Sequence, residues 1–284
     1  MSDVLVYATF GRAATARGLL ASACQATGIG VQLELYGTGS LYQRLGPRHA
    51  PPLPDIVFWS GPFAAQSATL DGLLQPYQPP SVAVTVPHEA SWRWTTLDFS
   101  AVGAFGSSIV SSLQEVAAVP TLAMADPERS EIGLSIVLAV LDRARQVDGD
   151  VERGWDWWLQ RRPDGLVLVE TDDETVARVA EKAATHGLTL ADAGVSLPGL
   201  APLPNAISLA ASSRNLDAAR RLLDWLTSEA AGAHLRLSPW QAQRNGLEAL
   251  LAAAPTLDIE WARQQYAATR QRWAHSAFGP TIKG

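Results

Sequence analysis

The chain is short of cysteine, lysine and long apolar runs, and each shortage excludes something. Among its 284 residues there is a single cysteine, Cys24. No internal disulfide can form, and neither a C-x-x-C nor an H-E-x-x-H metal spacing occurs. Cys24 falls inside a helical pattern beside Leu19, Leu20 and Ala23, where a small buried apolar residue is the plain reading. Lysine occurs only at Lys182 and Lys283, and the 22 basic residues are outnumbered by 28 acidic ones for a net charge of -6. No basic face is present, so nucleic acid is not an expected partner. No apolar run reaches the roughly 18 residues a bilayer crossing needs. No secretion signal precedes the first strand at Val4. The protein is therefore either cytosolic or lacks a signal already removed, and both stay open at this point. Length allows one large domain or two of roughly half the chain each.

What is present alternates strand and helix. VLVYA (4–8) reads as a buried strand, followed by a helix from about Ala13 to Thr27 that Gly28 stops. VQLELY (31–36) is a second strand. It runs through Gly-Thr-Gly-Ser into a helix from Ser40. DIVFWSG (55–61) is a third strand, with Pro62 opening the next helix. Strands that alternate with helices predict a parallel α/β sheet. From about Val82 to Gly106 the pattern lengthens into extended segments, as expected where a chain passes between domains. A second set follows: strand TLAMAD (121–126), helix SEIGLSIVLAVLDRARQV (130–147) and a short aromatic helix ERGWDWWLQ (152–160). Next comes strand GLVLVE (165–170), then a capping box from Thr171 to Glu174 leading a helix through VARVAEKAATHG. After the strand NAISLAA the remainder reads as helices at 216–228, 241–253 and 258–274.

In open α/β sheets ligands sit beyond the carboxyl ends of the strands, so the strand-to-helix loops are the candidate sites. Here they hold Thr9, Gly11 and Arg12; Thr38, Gly39 and Ser40; Trp59, Ser60 and Gly61; Asp126 to Ser130; and Glu170 to Asp172. Glycine admits close approach, hydroxyls can donate to an oxyanion, and a helix start offers unpaired N–H groups. The plain alternative for Thr38 and Ser40 is helix capping without a ligand. GTGS is no phosphate loop of a nucleotide site, since no lysine follows, and Tyr42 stands where a third glycine would be needed. Ser60-Gly61 lacks the frame of a nucleophile elbow, and no histidine stands in a loop that obviously reaches it. No catalytic residues are expected. The acidic pair Asp172 and Asp173 either complements a helix dipole or holds an ammonium group. Trp92, Trp94, Trp155, Trp157 and Trp158 read as core or hinge packing, and Trp59 as a possible ligand contact.

In their order, the segments VLVYATFGRAATARGLL, ATGIGVQLELYGTGSLYQRL, PDIVFWSGPFAAQSATLDGLLQPY, ADPERSEIG, GWDWW and APLPNAISLAASSRNLDAARRLLDWLTSEAAGAHL resemble the extracellular solute-binding proteins of ABC importers. The resemblance covers most of residues 4 to 240 and is to the type 2 periplasmic-binding fold, in the branch of ferric-iron, thiamine and phosphonate binders. It implies an α/β chain in two lobes with a ligand cleft between them, lobe one being 1–86 plus 205–284 and lobe two 87–204. It further implies a periplasmic monomer whose signal peptide has been removed, and an inner-membrane ABC permease as partner. No cofactor is implied, and a bound solute would favour the closed form of the two lobes. Two departures stand out. Iron-binding members carry an adjacent Tyr-Tyr pair where this chain reads THGLTLADAGVSLPG, which argues against iron. The family's D-P-x-x-S-G-T-G loop has Glu131-Ile132 in place of Gly-Thr. The expected solute is small, polar and anionic, a phosphonate or phosphate ester fitting best. Thr38, Gly39, Ser40, Thr9, Ser60 and Arg12 would hold the anion. Ser130, Glu131, Thr171 and Asp172 would close from lobe two. If the acidic residues face the ligand, it also has a cationic end. A cytosolic ligand sensor or an enzyme on the same architecture is the alternative.

Overall fold

A computed structural model describes residues 3–46, 52–82, 86–160, 165–190, 195–197, 200, 202–235 and 257–276. The helix expected over 241–253 lies outside the described residues. The chain divides into two compact units, Met1–Phe99 with Pro204–Glu248 and Ser100–Leu203 with Ala249–Gly284.

Unit one is built on a six-stranded sheet. Its strands are β1 (Val4–Thr9), β2 (Val31–Tyr36), β3 (Ile56–Phe58), β4 (Leu74–Gln75), β5 (Thr95–Ser100) and β11 (Leu203–Ala210). The order is β2-β1-β3-β11-β4, with β5 also paired to β11. β1 lies parallel to both β2 and β3, with Thr9 opposite Tyr36 and Ala8 opposite Phe58. The returning strand β11 runs antiparallel to β3. Helices α1 (Ala13–Thr27), α2 (Thr38–Leu45) and α3 (Phe63–Leu70) follow β1, β2 and β3. Gly28 ends α1 in the left-handed conformation, φ 68°, as its sequence position suggests. Every residue of β1 is buried, as a strand covered on both faces requires. Val4, Val6, Ala8, Leu19, Leu20, Ile56 and Phe58 form its core with Leu222, Leu223 and Leu226 of α8 (Leu216–Leu226). Each fully buried leucine contributes roughly 1.5–3 kcal/mol.

Unit two holds a five-stranded sheet in the order β10-β6-β9-β7-β8. These are β6 (Val102–Gly106), β7 (Leu122–Ala125), β8 (Leu166–Val169), β9 (His186–Leu190) and β10 (Val195–Ser196). β7 is parallel to β8 and β9, whereas β6 is antiparallel to β9 and β10. The helices are α4 (Leu113–Ala118), α5 (Glu131–Arg143), α6 (Val151–Leu159), α7 (Asp172–Ala180) and, at the C-terminal end, α10 (Ile259–Ala274). A short helix α9 (Glu229–Gly232) follows α8 in unit one. Almost the whole of α5 is buried, from Glu131 to Asp142.

One sequence expectation is corrected. The helix read through VARVAEKAATHG stops at Ala180, because Lys182 takes a left-handed φ of 59°, and His186 already begins β9. The division that placed all of 205–284 in lobe one differs from the units found, because α10 packs within unit two. Trp273 meets Trp158 edge to face with ring centroids 5.4 Å apart, and Arg272 pairs with Glu152 at 2.7 Å. Buried Asp142 accepts hydrogen bonds from Arg145, Gln146 and the backbone N–H of Asp258, so it ties the start of α10 to α5. Among the described residues no helix is long and apolar enough to cross a membrane.

Candidate functional site

The parallel run β2-β1-β3 brings three of the candidate loops to one edge of the unit-one sheet, since all three strands end there. Thr9 closes β1 and is buried, and its hydroxyl hydrogen bonds with that of Ser60, just beyond β3. Gly61 follows with φ 147°, a conformation that favours glycine. At the end of β2, Gly37 is the N-cap of α2, so Thr38 and Ser40 occupy the first and third helical positions. A Cβ on Gly37 would come within 3.9 Å of the ring of Phe10, which places the start of α2 against the turn after β1. Phe10 is 56% exposed at that edge.

Thr38 and Ser40 do not cap their helix. Among the described residues neither hydroxyl has a hydrogen-bond partner. Gly39 and Ser40 are exposed and Thr38 is partly so. The first turn of α2 thus presents uncommitted hydroxyls together with the N–H groups every helix start leaves unpaired.

Arg12 enters this edge from the turn after β1 and is buried. Its Nη2 donates to Asp98 Oδ2 at 2.6 Å, with side-chain exposures of 7% and 9%. Asn205 Nδ2 donates to the other Asp98 oxygen at 2.9 Å. Arg12 Nε is buried with no hydrogen-bond partner among the described residues. Asp98 and Asn205 were missed by sequence reasoning. One signal was available: Asp98 breaks an apolar alternation in TTLDFS, and a carboxylate within a buried strand demands a partner.

Trp59 takes another role than the expected ligand contact. It is 0% exposed and donates from Nε1 to Ser208 Oγ of β11 at 2.9 Å, so it belongs to the core.

At the matching edge of unit two, β7 and β8 end together, Ala125 opposite Val169. The two following loops meet there: Asp126 N–H donates to Val169 O at 2.7 Å, and Arg129 pairs with Glu170 at 2.9 Å. The hydroxyls here are already used. Ser130 caps α5 by accepting from Gly133 N–H at 3.4 Å, and Thr171 caps α7 by accepting from Glu174 N–H at 3.2 Å. The Glu174 carboxylate reaches back to the N–H of Glu170 at 2.9 Å, one residue earlier than a standard capping box. Asp172 opens α7, and its side chain lies outside what is described. Glu131 is 2% exposed and lies near Tyr266 of α10. Burial, and then the Glu131 carboxylate, pushes the Tyr266 phenol well above its ordinary value. The Glu131 carboxylate is therefore set inside the unit, near α10. Among the described residues no group of three or more His, Cys, Asp or Glu side chains gathers as a metal site.

No family model and no curated protein sequence matches this chain. Solved structures do. The periplasmic binding protein AfuA from Actinobacillus pleuropneumoniae, with exogenous fructose-6-phosphate bound, is similar at TM-score 0.76 and 13% identity, over 96% of this chain and 98% of its own. Apo ferric ion-binding protein A of Pasteurella haemolytica is similar at TM-score 0.74 and 14% identity, over 100% of both chains. Iron-bound HitA from Pseudomonas aeruginosa is similar at TM-score 0.72 and 13% identity, over 95% of this chain and 99% of its own. What these likenesses establish is the fold: the chain has the α/β fold of the periplasmic binding proteins, in two units.

Proposed function

We propose that the chain is the solute-binding component of an ABC importer, not an enzyme, and that it takes up a small polar solute through an anionic group bound at the unit-one edge. A phosphate ester or phosphonate suits that edge. The observation that carries this reading is the first turn of α2, where Thr38 and Ser40 leave both hydroxyls uncommitted beside unpaired helix N–H groups. Arg12, with an unpartnered Nε, adds a cationic donor in the turn after the neighbouring strand. The fructose-6-phosphate bound by AfuA supports a phosphate ester as the solute class. Iron is disfavoured, because the adjacent tyrosine pair of iron binders is absent from the sequence. Ser130 and Thr171 are not carried forward as ligand groups, since each hydroxyl already holds a helix start. The working partner is a membrane permease and the working location the periplasm.

A thermal-shift screen against phosphate esters, phosphonates, amino acids, thiamine, sugars and ferric ion tests the reading. A ligand at a hundredfold excess over Kd raises stability by about 2.7 kcal/mol. The expected outcome is a rise with an oxyanion that is cut in Thr38→Ala/Ser40→Ala. If neutral sugars or ferric ion alone raise the midpoint, the anion reading fails.

A further inference from the structure

Phe10 stands apart from the other aromatic side chains. It is 56% exposed, whereas every other Phe, Tyr or Trp among the described residues is buried or partly buried. The cause is local. After β1 the chain makes a single 3-10 turn, Phe10–Arg12. Three residues complete such a turn, so positions 9 and 12 share one side of it. Thr9 and Arg12 are both buried, which leaves Phe10 and Gly11 facing outward. The ring lies against the start of α2: its Cε2 is 3.9 Å from the position a Cβ on Gly37 would take. Gly37 is the N-cap of the turn that carries Thr38 and Ser40. An apolar ring and uncommitted polar donors thus stand side by side, the combination that small-molecule sites use. Trp59 cannot fill that aromatic role, since its ring is enclosed in the core.

We infer that Phe10 selects the body of the solute: the anionic group is carried on a flat ring, as in an aryl or heteroaryl phosphate ester or phosphonate, and that ring lies on Phe10. This rests on the reading that Thr38 and Ser40 receive the anion. An anion accepting from the first-turn N–H groups lies at the Gly37 end of α2, the end that the Phe10 ring touches. A ring joined to the anion through one ester oxygen covers Phe10. An inorganic or short acyclic oxyanion leaves it in water. Covering it removes two apolar faces from water at once. Contact between two aromatic rings adds about two- to tenfold in affinity beyond the area covered. A methyl ester gains neither.

Phenyl phosphate and methyl phosphate separate ring from anion, because at pH 8 both carry about two negative charges and only the first carries a ring. Calorimetric titration of the full chain gives the ratio of their dissociation constants. Phenyl phosphate is expected to bind about tenfold tighter or more. In Phe10→Ala that advantage should fall to about twofold or less, with the affinity for methyl phosphate unchanged. Phe10→Tyr should keep it. Because Phe10 is exposed, the unfolding midpoint of the alanine variant should stay close to that of the native chain, so the comparison is one of binding. Equal affinities in the native chain overturn the inference, as does an advantage that survives Phe10→Ala. If in that event methyl phosphate binds and Thr38→Ala/Ser40→Ala weakens it, the anion reading stands and the ring selection falls. If neither ester binds, or if Thr38→Ala/Ser40→Ala leaves both affinities unchanged, the anion reading falls and takes the inference with it.

Discussion

The two units meet the same local problem at their loop edges and solve it differently. In each, a strand feeds a helix through a loop rich in hydroxyl residues. In unit two, Ser130 and Thr171 stand at the N-cap position, and their oxygens accept from the third helical N–H. In unit one the N-cap of α2 is Gly37, which has no side chain to offer, and Thr38 and Ser40 fall one and three places further in. A shift of one residue decides whether a hydroxyl is spent on the fold or left for a solute. Composition alone does not carry that distinction, because all three loops read as glycine or acid next to Ser or Thr.

The comparison is tested first where the difference is largest. Asp98→Ala in unit one strands the buried Arg12 guanidinium and is expected to cost about 3–5 kcal/mol in urea unfolding. Arg272→Ala in unit two removes a half-exposed pair with Glu152 and is expected to cost under about 1 kcal/mol. Similar losses would mean the two pairs are equally wet. Next in size, Ser130→Ala and Thr171→Ala should each lower stability by about 0.5–2 kcal/mol and leave solute affinity unchanged, read by thermal unfolding and titration together. The mirror result is expected for Thr38→Ala and Ser40→Ala. Stability should stay within about 0.5 kcal/mol, and affinity should drop about two- to tenfold for each lost hydrogen bond. If all four variants behave alike, the contrast between caps and free hydroxyls is wrong.

The smallest effect concerns pH. In unit one, burial and the hydrogen bond to Asp224 push the Tyr77 phenol up to about 12. A raised value favours the neutral form in the folded state. Its contribution is therefore complete below the ordinary phenol value near 10 and is lost as pH climbs from 10 toward 12. Tyr77→Phe should flatten part of the alkaline fall in the unfolding midpoint. An identical alkaline profile in the variant would remove Tyr77 as a source of that fall.

Much of the fold is legible in the sequence because the alternation of apolar strands and periodic helices is strong and local. VLVYA, VQLELY and DIVFW each announce a strand, and the rule that ligands lie beyond strand ends locates the candidate loops. Two kinds of information are not local. EKAAT has high helix propensity, so the stop at Ala180 depends on the left-handed Lys182 and on pairing of β9 with β6 and β7. The partner of Arg12 lies 86 residues along the chain, and the partner of Asp98 a further 107. Only the returning strand β11 and the outgoing strand β5 bring them together, and no spacing rule reaches that far. The same holds for Trp59, whose position after a strand suggests exposure. Its burial follows from β11 lying beside β3 and supplying Ser208.

The placement of α10 has a consequence for synthesis. A chain emerging from the ribosome N-terminus first makes every strand of unit two's sheet before β11 arrives to fill unit one's. Unit one waits for β11 to lie between β3 and β4. Unit two waits for the helix that ends at Ala274 to set Trp273 against Trp158 and Glu131 near Tyr266. Finishing the N-terminal unit before the next one begins, the ordinary route for a two-unit chain, is closed to this one, because Ser100–Leu203 emerge between the two pieces of unit one. A nascent chain stopped short of Asp258 would carry the α5 carboxylates Glu131 and Asp142 without the helix that receives them.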